Sequence, residues 1–190
     1  MKTILLSMSL MLILNLNTAQ ADDLAKFQDD SRKVVKEMTS QLGGALQKEM
    51  AASGAASAVK VCKDLAPAIT SDVSRKTGQR VTRVSLKVRN PLLAAPDAWE
   101  QKILAEFATR MEKENPATID YAEIVTEPQG KFMRYMKAIP VQDVCLKCHG
   151  SSEMMDPKVK EQLSAEYPAD KATGYATNQL RGAFSIKKPL

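Results

Sequence analysis

The feature that most constrains this chain is a short motif near its C-terminal third. His149 is the single histidine of the 190 residues, and it directly follows Cys145-Leu146-Lys147-Cys148. Cys-x-x-Cys-His is the attachment sequence of c-type haem. Each thiol adds across one haem vinyl group to form a thioether, and the adjoining histidine becomes the proximal ligand of the iron. The motif therefore predicts covalent haem on Cys145 and Cys148, with His149 on the metal.

Two other chemistries use a similar cysteine pair. In a thiol–disulfide exchange site, the pair opens a helix behind a strand and the first thiolate has a lowered pKa. No alternating strand–helix pattern of the thioredoxin type surrounds residues 139–144. Structural zinc normally takes four ligands from two separated pairs, and here only one further cysteine exists. Both alternatives fit the sequence less well than haem does.

The N-terminus predicts export. Lys2 precedes a mostly apolar run over residues 4–16, and Thr18-Ala19-Gln20-Ala21 has the small residues of a cleavage site. The run is too short for a membrane-spanning helix, which needs about 20 residues. We therefore predict a signal peptide over residues 1–21 and a periplasmic or otherwise exported mature protein that begins at Asp22. C-type haem is attached in that same compartment.

The remaining residues, 22–190, have the length of one domain with its own core. The formal net charge is +5, with basic residues scattered among acidic ones. Such a balance lacks the concentrated basic footprint of a nucleic-acid-binding protein. No later segment is apolar enough to span a membrane. We expect a single haem-binding domain, and any partner to be a redox or signalling protein.

The third cysteine, Cys62, is the open question of the site. On a helix it shares one face with Ala55, Val59 and Ala66, so it points into the core. It could be an inert buried cysteine, or a thiolate ligand of the iron opposite His149. A second histidine is absent from the sequence, so methionine is the main rival for that position. The methionines outside the signal peptide are Met38, Met50, Met111, Met133, Met136, Met154 and Met155, of which the first two fit a helical core stripe.

Hydrophobic periodicity predicts an α+β domain. Helices are expected over residues 23–50 with a weak point at Gly43-Gly44, around Cys62 after Gly54, from Pro67 to Gly78, from Asp97 to 115, and from Pro157. Strands are expected over residues 80–88, 121–126, 132–139 and 180–186, the middle two forming a hairpin. Helices followed by mostly consecutive strands favour an antiparallel sheet over a parallel α/β sheet.

Several segments in order along the chain resemble a family of c-type haem proteins that was long known only as a domain of unknown function. The segments are Val61-Cys62, Ala66-Pro67, Arg83 to Lys87, Arg89-Asn90-Pro91, Pro96 to Glu100, Cys145 to Gly150, Tyr167-Pro168 and Arg181 to Ser185. The resemblance implies a PAS-like fold, an antiparallel sheet flanked by N-terminal and connecting helices. It also implies thioethers at Cys145 and Cys148, with His149 proximal and Cys62 distal on the iron.

Function is expected to be electron transfer, since a thiolate-ligated, six-coordinate iron suits a carrier of low potential. The alternative is a redox or gas sensor in which nitric oxide or carbon monoxide displaces the thiolate, and which acts through a partner protein. An enzyme such as a peroxidase would need an open distal site and an acid–base group, so we do not expect one. The sequence leaves open which basic residue meets the haem propionates, among Arg83, Lys87, Arg89, Arg134 and Lys137.

Overall fold

The computed structural model describes the backbone of residues 3–190 and the side chains of residues 20–190. The helices are α1 (Thr3–Lys60), α2 (Ala66–Thr77), α3 (Pro91–Ala94), α4 (Ala98–Arg110), α5 (Leu146–His149) and α6 (Pro157–Glu166). The strands are β1 (Arg80–Val84), β2 (Asp120–Glu127), β3 (Gly130–Pro140) and β4 (Leu180–Pro189). A π-helical turn (Val61–Leu65) joins α1 to α2, and short 3-10 turns cover Pro116–Thr118 and Asp143–Cys145.

Within the described residues the strands form one antiparallel sheet in the order β1-β4-β3-β2. β2 and β3 are the predicted hairpin, in register from Glu127 opposite Gly130 to Asp120 opposite Lys137. β4 lies between β1 and β3, although it comes last along the chain. The predicted α+β class, with an antiparallel sheet flanked by helices, is confirmed.

The sheet has an apolar layer on each face because side chains alternate along its strands. One layer joins α1 to the sheet through Phe27, Val35, Met38, Val81, Met133, Tyr135, Phe184 and Ile186. The other joins α4 to the sheet through Val84, Ile103, Leu104, Phe107, Ile119, Met136, Ala138 and Ala183. Consecutive residues of β3 and β4 therefore face opposite layers, as the predicted period of two requires.

The first helix differs from the prediction at Gly43-Gly44 and agrees with it at Gly54, which was expected to separate this helix from the segment of Cys62. We expected a weak point at Gly43-Gly44, but the helix runs through both residues. The break lies at Gly54, whose φ of 84° and ψ of 175° are outside the helical range. Glycine adopts such a positive φ at little cost because it has no Cβ. Because the helix is interrupted at Gly54, the segment that carries Cys62 does not have to follow the axis of the preceding helix.

The helix expected from Pro67 to Gly78 is present as α2. It begins one residue earlier, and the π-helical turn joins it to α1 without a loop. Proline has no N–H and its ring crowds the carbonyl four residues back, so a regular α-helix would be distorted there. In the wider turn, Ala66 N–H donates to the carbonyl of Val61 instead. The turn contains Cys62, so its register sets where that sulfur lies.

The first strand is shorter than predicted, ending at Val84 rather than at residue 88. The Ser85 hydroxyl lies 2.7 Å from the Arg181 carbonyl and 3.0 Å from the Lys87 carbonyl, so the chain turns away from the sheet. Two predicted helix ends are confirmed. Gly78 ends α2 in the left-handed conformation, and Asp97 with Glu100 forms a capping box at the start of α4.

The predicted signal peptide over residues 1–21 lies almost entirely outside the described side chains, which begin at residue 20. Its cleavage and the export that depends on it stay predictions. Among the residues that the structure describes, no helix combines the length and apolar character needed to cross a membrane.

Candidate functional site

A cavity of about 540 Å³ lies between the helical segment of residues 39–74 and the β1–β4 side of the sheet. Its wall includes all three cysteines of the chain and His149. The rest of the wall is mainly apolar, with side chains that include Leu42, Leu46, Met50, Val59, Val81, Val84, Leu93, Ile139 and Phe184. The structure thus brings together Cys62, Cys145, Cys148 and His149, which the sequence singled out from segments far apart.

Helical geometry places the motif residues on one side of their backbone. Cys145 ends a 3-10 turn and Leu146–His149 form α5, so the three motif side chains are at positions i, i+3 and i+4. Such positions share one helix face. Gly150 ends the turn, and a Cβ there would lie 2.6 Å from the Leu146 carbonyl oxygen. A side chain at position 150 would therefore collide with the backbone of the motif, and glycine avoids this collision.

His149 is held in one orientation by the loop that precedes β4. Its Nδ1 lies 2.7 Å from the Ala172 carbonyl oxygen, which can only accept, so Nδ1 carries the proton. Nε2 is left with a lone pair, to which Arg181 Nε donates at 3.4 Å. Tyr175 meets the imidazole edge-on, with ring centroids 6.2 Å apart. A backbone carbonyl that accepts from the other ring nitrogen is a usual partner of a metal-binding histidine.

The imidazole stays neutral throughout the physiological range. Burial lowers the pKa of His149 to about 2, and the charges of Arg181 and Arg89 act in the same direction. Neutral imidazole is the form that coordinates a metal, because protonation would occupy the lone pair of Nε2.

The two motif thiols lie against different apolar clusters. Cys145 packs against Val141, Ala172 and Tyr175, and Cys148 against the cluster formed by α6 and the end of α1. Burial raises the pKa of Cys148, so its sulfur is a protonated thiol at neutral pH. Among the described residues, neither thiol has a carboxylate or other anionic group bound to it.

Cys62 reaches the same cavity from the π-helical turn, and its neighbours are apolar on one side and cationic on the other. Burial raises the pKa of its thiol, whereas Arg83, Arg89 and Arg181 lower it in that order. A metal ion displaces the proton from a coordinating thiol. The prediction that Cys62 points inward agrees with its position in the cavity wall.

Among the methionines considered as rivals, Met50 lines the cavity and the others do not. Met133 and Met136 are buried in the two layers of the sheet, and Met111 packs against α4's layer. Met155 belongs to the cluster beneath Cys148, and Met154 is exposed. Cys62 and Met50 are therefore the two sulfur atoms to compare as ligands opposite His149.

Three arginines also line the cavity, and they differ in their partners. Arg89 is fixed by Asp170, whose Oδ2 lies 3.0 Å from its Nε, and it also donates to the Cys148 carbonyl. Arg181 donates to the Ser85 hydroxyl at 2.9 Å and to the Lys87 carbonyl at 3.3 Å. Arg83 projects from β1 on the face that carries Val81.

Three basic residues considered for the propionates lie elsewhere. Lys87 donates to the Thr173 carbonyl at 2.6 Å. Arg134 is enclosed by Asp97, Glu100 and Glu127 next to α4, on the opposite face of the sheet. Lys137 donates to the Ala117 carbonyl. Arg181 was not among the candidates from the sequence, because its approach to the cavity depends on the pairing of β4 with β1. Its place in the segment Arg181 to Ser185 was the available sequence signal.

The residues present fit a c-type haem. A cavity of about 540 Å³ falls within the range of roughly 300–1,000 Å³ typical of small-molecule and cofactor sites. Its donor set consists of two motif thiols, a neutral imidazole with its Nε2 lone pair toward the cavity, and a third sulfur. Its walls are mainly apolar, as a porphyrin face requires, and arginines supply positive charge at one side.

Comparisons with known proteins agree on the fold and the family. A search of curated proteins finds no match. The solved structure of a cyanobacterial protein, described as the heme-protein Tll0287, superposes with a TM-score of 0.65 at 20% sequence identity, covering 86% of this chain and 95% of that one. The family model Tll0287-like matches residues 13–189. Because that match spans nearly the whole sequence, the chain belongs to the Tll0287-like family.

Proposed function

We propose that this chain is an exported c-type haem protein that transfers electrons, with thioethers at Cys145 and Cys148 and with iron held by His149 and Cys62. The observation that carries the proposal is the convergence of these four side chains on one mainly apolar cavity. The structure of Tll0287, which is described as a heme-protein, and the common family support haem as the group bound.

Haem iron, when bound, supplies a one-electron redox centre. The chain determines how that centre behaves. The Ala172 carbonyl fixes the ring of His149 and increases the basicity of Nε2. The apolar wall excludes water, and a Cys62 thiolate adds negative charge that favours ferric iron. With His149 and Cys62 both bound to the iron, no position would be free for a substrate, which favours electron transfer over catalysis.

Attachment is tested by intact mass spectrometry of protein matured with haem. We expect the mass of residues 22–190 plus one haem, which reports covalent attachment and signal-peptide cleavage together. Acid–acetone extraction should leave the haem on the polypeptide, and Cys145→Ala with Cys148→Ala should abolish incorporation or release it. Haem that is extracted from the wild-type protein would end the c-type proposal.

The distal ligand is tested by comparing Cys62→Ser with Met50→Leu, because both residues line the cavity. Cys62→Ser should keep its haem, shift the ferric absorption and electron paramagnetic resonance spectra toward high spin or a different sixth ligand, and raise the reduction potential. Met50→Leu should leave the spectra unchanged. The opposite pattern would assign the distal position to Met50.

Gas binding separates electron transfer from sensing. An electron carrier closed by Cys62 should show little change in its spectrum under carbon monoxide or nitric oxide, and Cys62→Ser should bind both. Ready displacement in the wild-type protein would instead favour a haem-based sensor that acts through a partner protein.

A further inference from the structure

Two arginines in the cavity wall have no anionic partner among the side chains of residues 20–190. The side chain of Arg83 makes no hydrogen bond or ion pair with any group of residues 20–190, and burial lowers its pKa. The side chain of Arg181 donates only to neutral acceptors, namely Ser85 Oγ, the Lys87 carbonyl and His149 Nε2. Burial lowers its pKa as well. Both side chains are only partly exposed and border a mainly apolar cavity. A cation in such surroundings without an opposite charge is unfavourable, so these two positions require an explanation.

Arg89 and Arg134, the arginines of the described chain that are buried, serve as the comparison. Arg89 pairs with Asp170 at 3.0 Å. Arg134 is 2.7 Å from Asp97 and 3.2 Å from both Glu100 and Glu127. Both arginines that are buried against protein thus have carboxylate partners, whereas Arg83 and Arg181 have none among the described residues. The two exceptions both face the cavity, which indicates that the missing anions belong to a ligand.

We propose that Arg83 and Arg181 bind the two propionate carboxylates of the haem. This assignment rests on the proposed function, because that function identifies the ligand as haem. Ferric iron, the porphyrin dianion and one thiolate cancel one another in charge. The propionates therefore carry two uncompensated negative charges, which equal the two uncompensated guanidinium charges. Arginine is well suited to this role because its planar fork can hold a carboxylate through two parallel hydrogen bonds.

The positions of the two arginines define which side of the cavity receives the propionates. Arg83 is opposite Phe184 in the β1–β4 register, and Arg181 lies three residues before that phenylalanine at the start of β4. Both therefore belong to the β1–β4 edge of the cavity. The Ser85 hydroxyl holds the guanidinium of Arg181 at this edge. Iron bound at His149 Nε2 would occupy the lone pair to which Arg181 Nε donates. A propionate carboxylate would then take the place of this neutral acceptor of Arg181.

The test uses resonance Raman spectroscopy of the ferric holoprotein, in which each propionate has its own bending band. Arg83→Gln should shift one band and Arg181→Gln the other, and the double variant should shift both. Each single variant should also lower the reduction potential, since a positive charge near the haem is removed. Arg80→Gln is the matched control, because Arg80 is on the same strand but is exposed. It should leave both bands unchanged.

Unchanged bands in Arg83→Gln and Arg181→Gln, with haem still covalently attached, would overturn this assignment and leave the proposed function intact. The same holds if Arg83→Gln alters only the spectrum of the iron–sulfur bond, which would assign Arg83 to the Cys62 thiolate. Wild-type protein without covalent haem would overturn both. If the variants do not mature, a crystal structure of the wild-type holoprotein decides. Guanidinium–carboxylate distances of about 2.7–2.9 Å confirm the assignment, and propionates directed away from both arginines refute it.

Discussion

Replacement of Arg89 by leucine should destabilise the fold strongly, because this residue connects the haem motif to the loop that orients His149. Its guanidinium pairs with Asp170, donates to the Cys148 carbonyl, and reaches the Ala172 carbonyl at 3.4 Å. The Ala172 carbonyl is the acceptor of His149 Nδ1. Loss of Arg89 therefore affects the ion pair and the support of the imidazole together.

The magnitude follows from burial. The side chains of Arg89 and Asp170 are 10% and 11% exposed, and removing one partner of a buried ion pair typically costs about 3–5 kcal/mol. Asp170 keeps a hydrogen bond from Ala172 N at 2.7 Å, which compensates part of the remaining charge. We therefore expect Arg89→Leu to lower the free energy of unfolding by about 3 kcal/mol, the lower end of that range.

The assay is urea denaturation of the holoprotein followed by far-ultraviolet circular dichroism, with linear extrapolation to water. Lys76→Gln is the control, because Lys76 lies 2.7 Å from Asp72 but the two side chains are 72% and 44% exposed. Its loss should cost less than about 1 kcal/mol. Asp170→Asn added to Arg89→Leu should recover at least about 1 kcal/mol, because the uncompensated charge is then gone. Equal costs for Arg89→Leu and Lys76→Gln would refute the argument from burial.

Two further predictions concern the sheet and its contact with α1. Gly182→Ala should cost about 3 kcal/mol or more in the same denaturation assay, because its Cβ would overlap the Val84 carbonyl oxygen; Gly44→Ala, where a Cβ meets nothing within 4 Å, should instead be neutral or stabilising. Burial raises the pKa of Asp120, but its hydrogen bond and charge interaction with Arg32 outweigh this and hold it below the ordinary value. That ion pair therefore stabilises the fold above about pH 4 and is lost as pH falls through the lower folded pKa, so the stability difference between wild type and Asp120→Asn should shrink in urea titrations from pH 7 to pH 3.

The sequence predicted the strands well because their alternation is a local property. β2 and β3 begin and end within two residues of the expected positions, and the hairpin between them was recognised from its turn residues. The end of β1 was not predicted. It depends on the Ser85 hydroxyl and on the close approach of Gly182, both of which follow from pairing with a strand far along the chain.

The same distinction applies to the site. Cys145, Cys148 and His149 form a local motif, and the inward direction of Cys62 followed from helical periodicity. The direction and partners of Arg83 and Arg181 followed from neither, since a strand arginine is usually solvated. The lack of a carboxylate partner for Arg83 and Arg181 could not be predicted either, because it depends on Asp170 being paired with Arg89 in the folded chain. In α1 the separation at Gly54 was expected from the sequence, whereas the weak point expected at Gly43-Gly44 is absent because the helix continues through both residues.

The position of β4 inside the sheet has a consequence for how the chain folds. Its neighbours β1 and β3 are both synthesised earlier. A residue of β1 such as Arg80 therefore has no strand partner until Lys187 has been added to the chain. Until then two strand edges are open, and such edges are prone to pair with other chains. The wall of the cavity that carries Arg181 and Phe184 is also missing up to that point. Synthesis must therefore pass residue 180 before the cavity can close, and a fragment that ends earlier should aggregate rather than form a smaller haem domain.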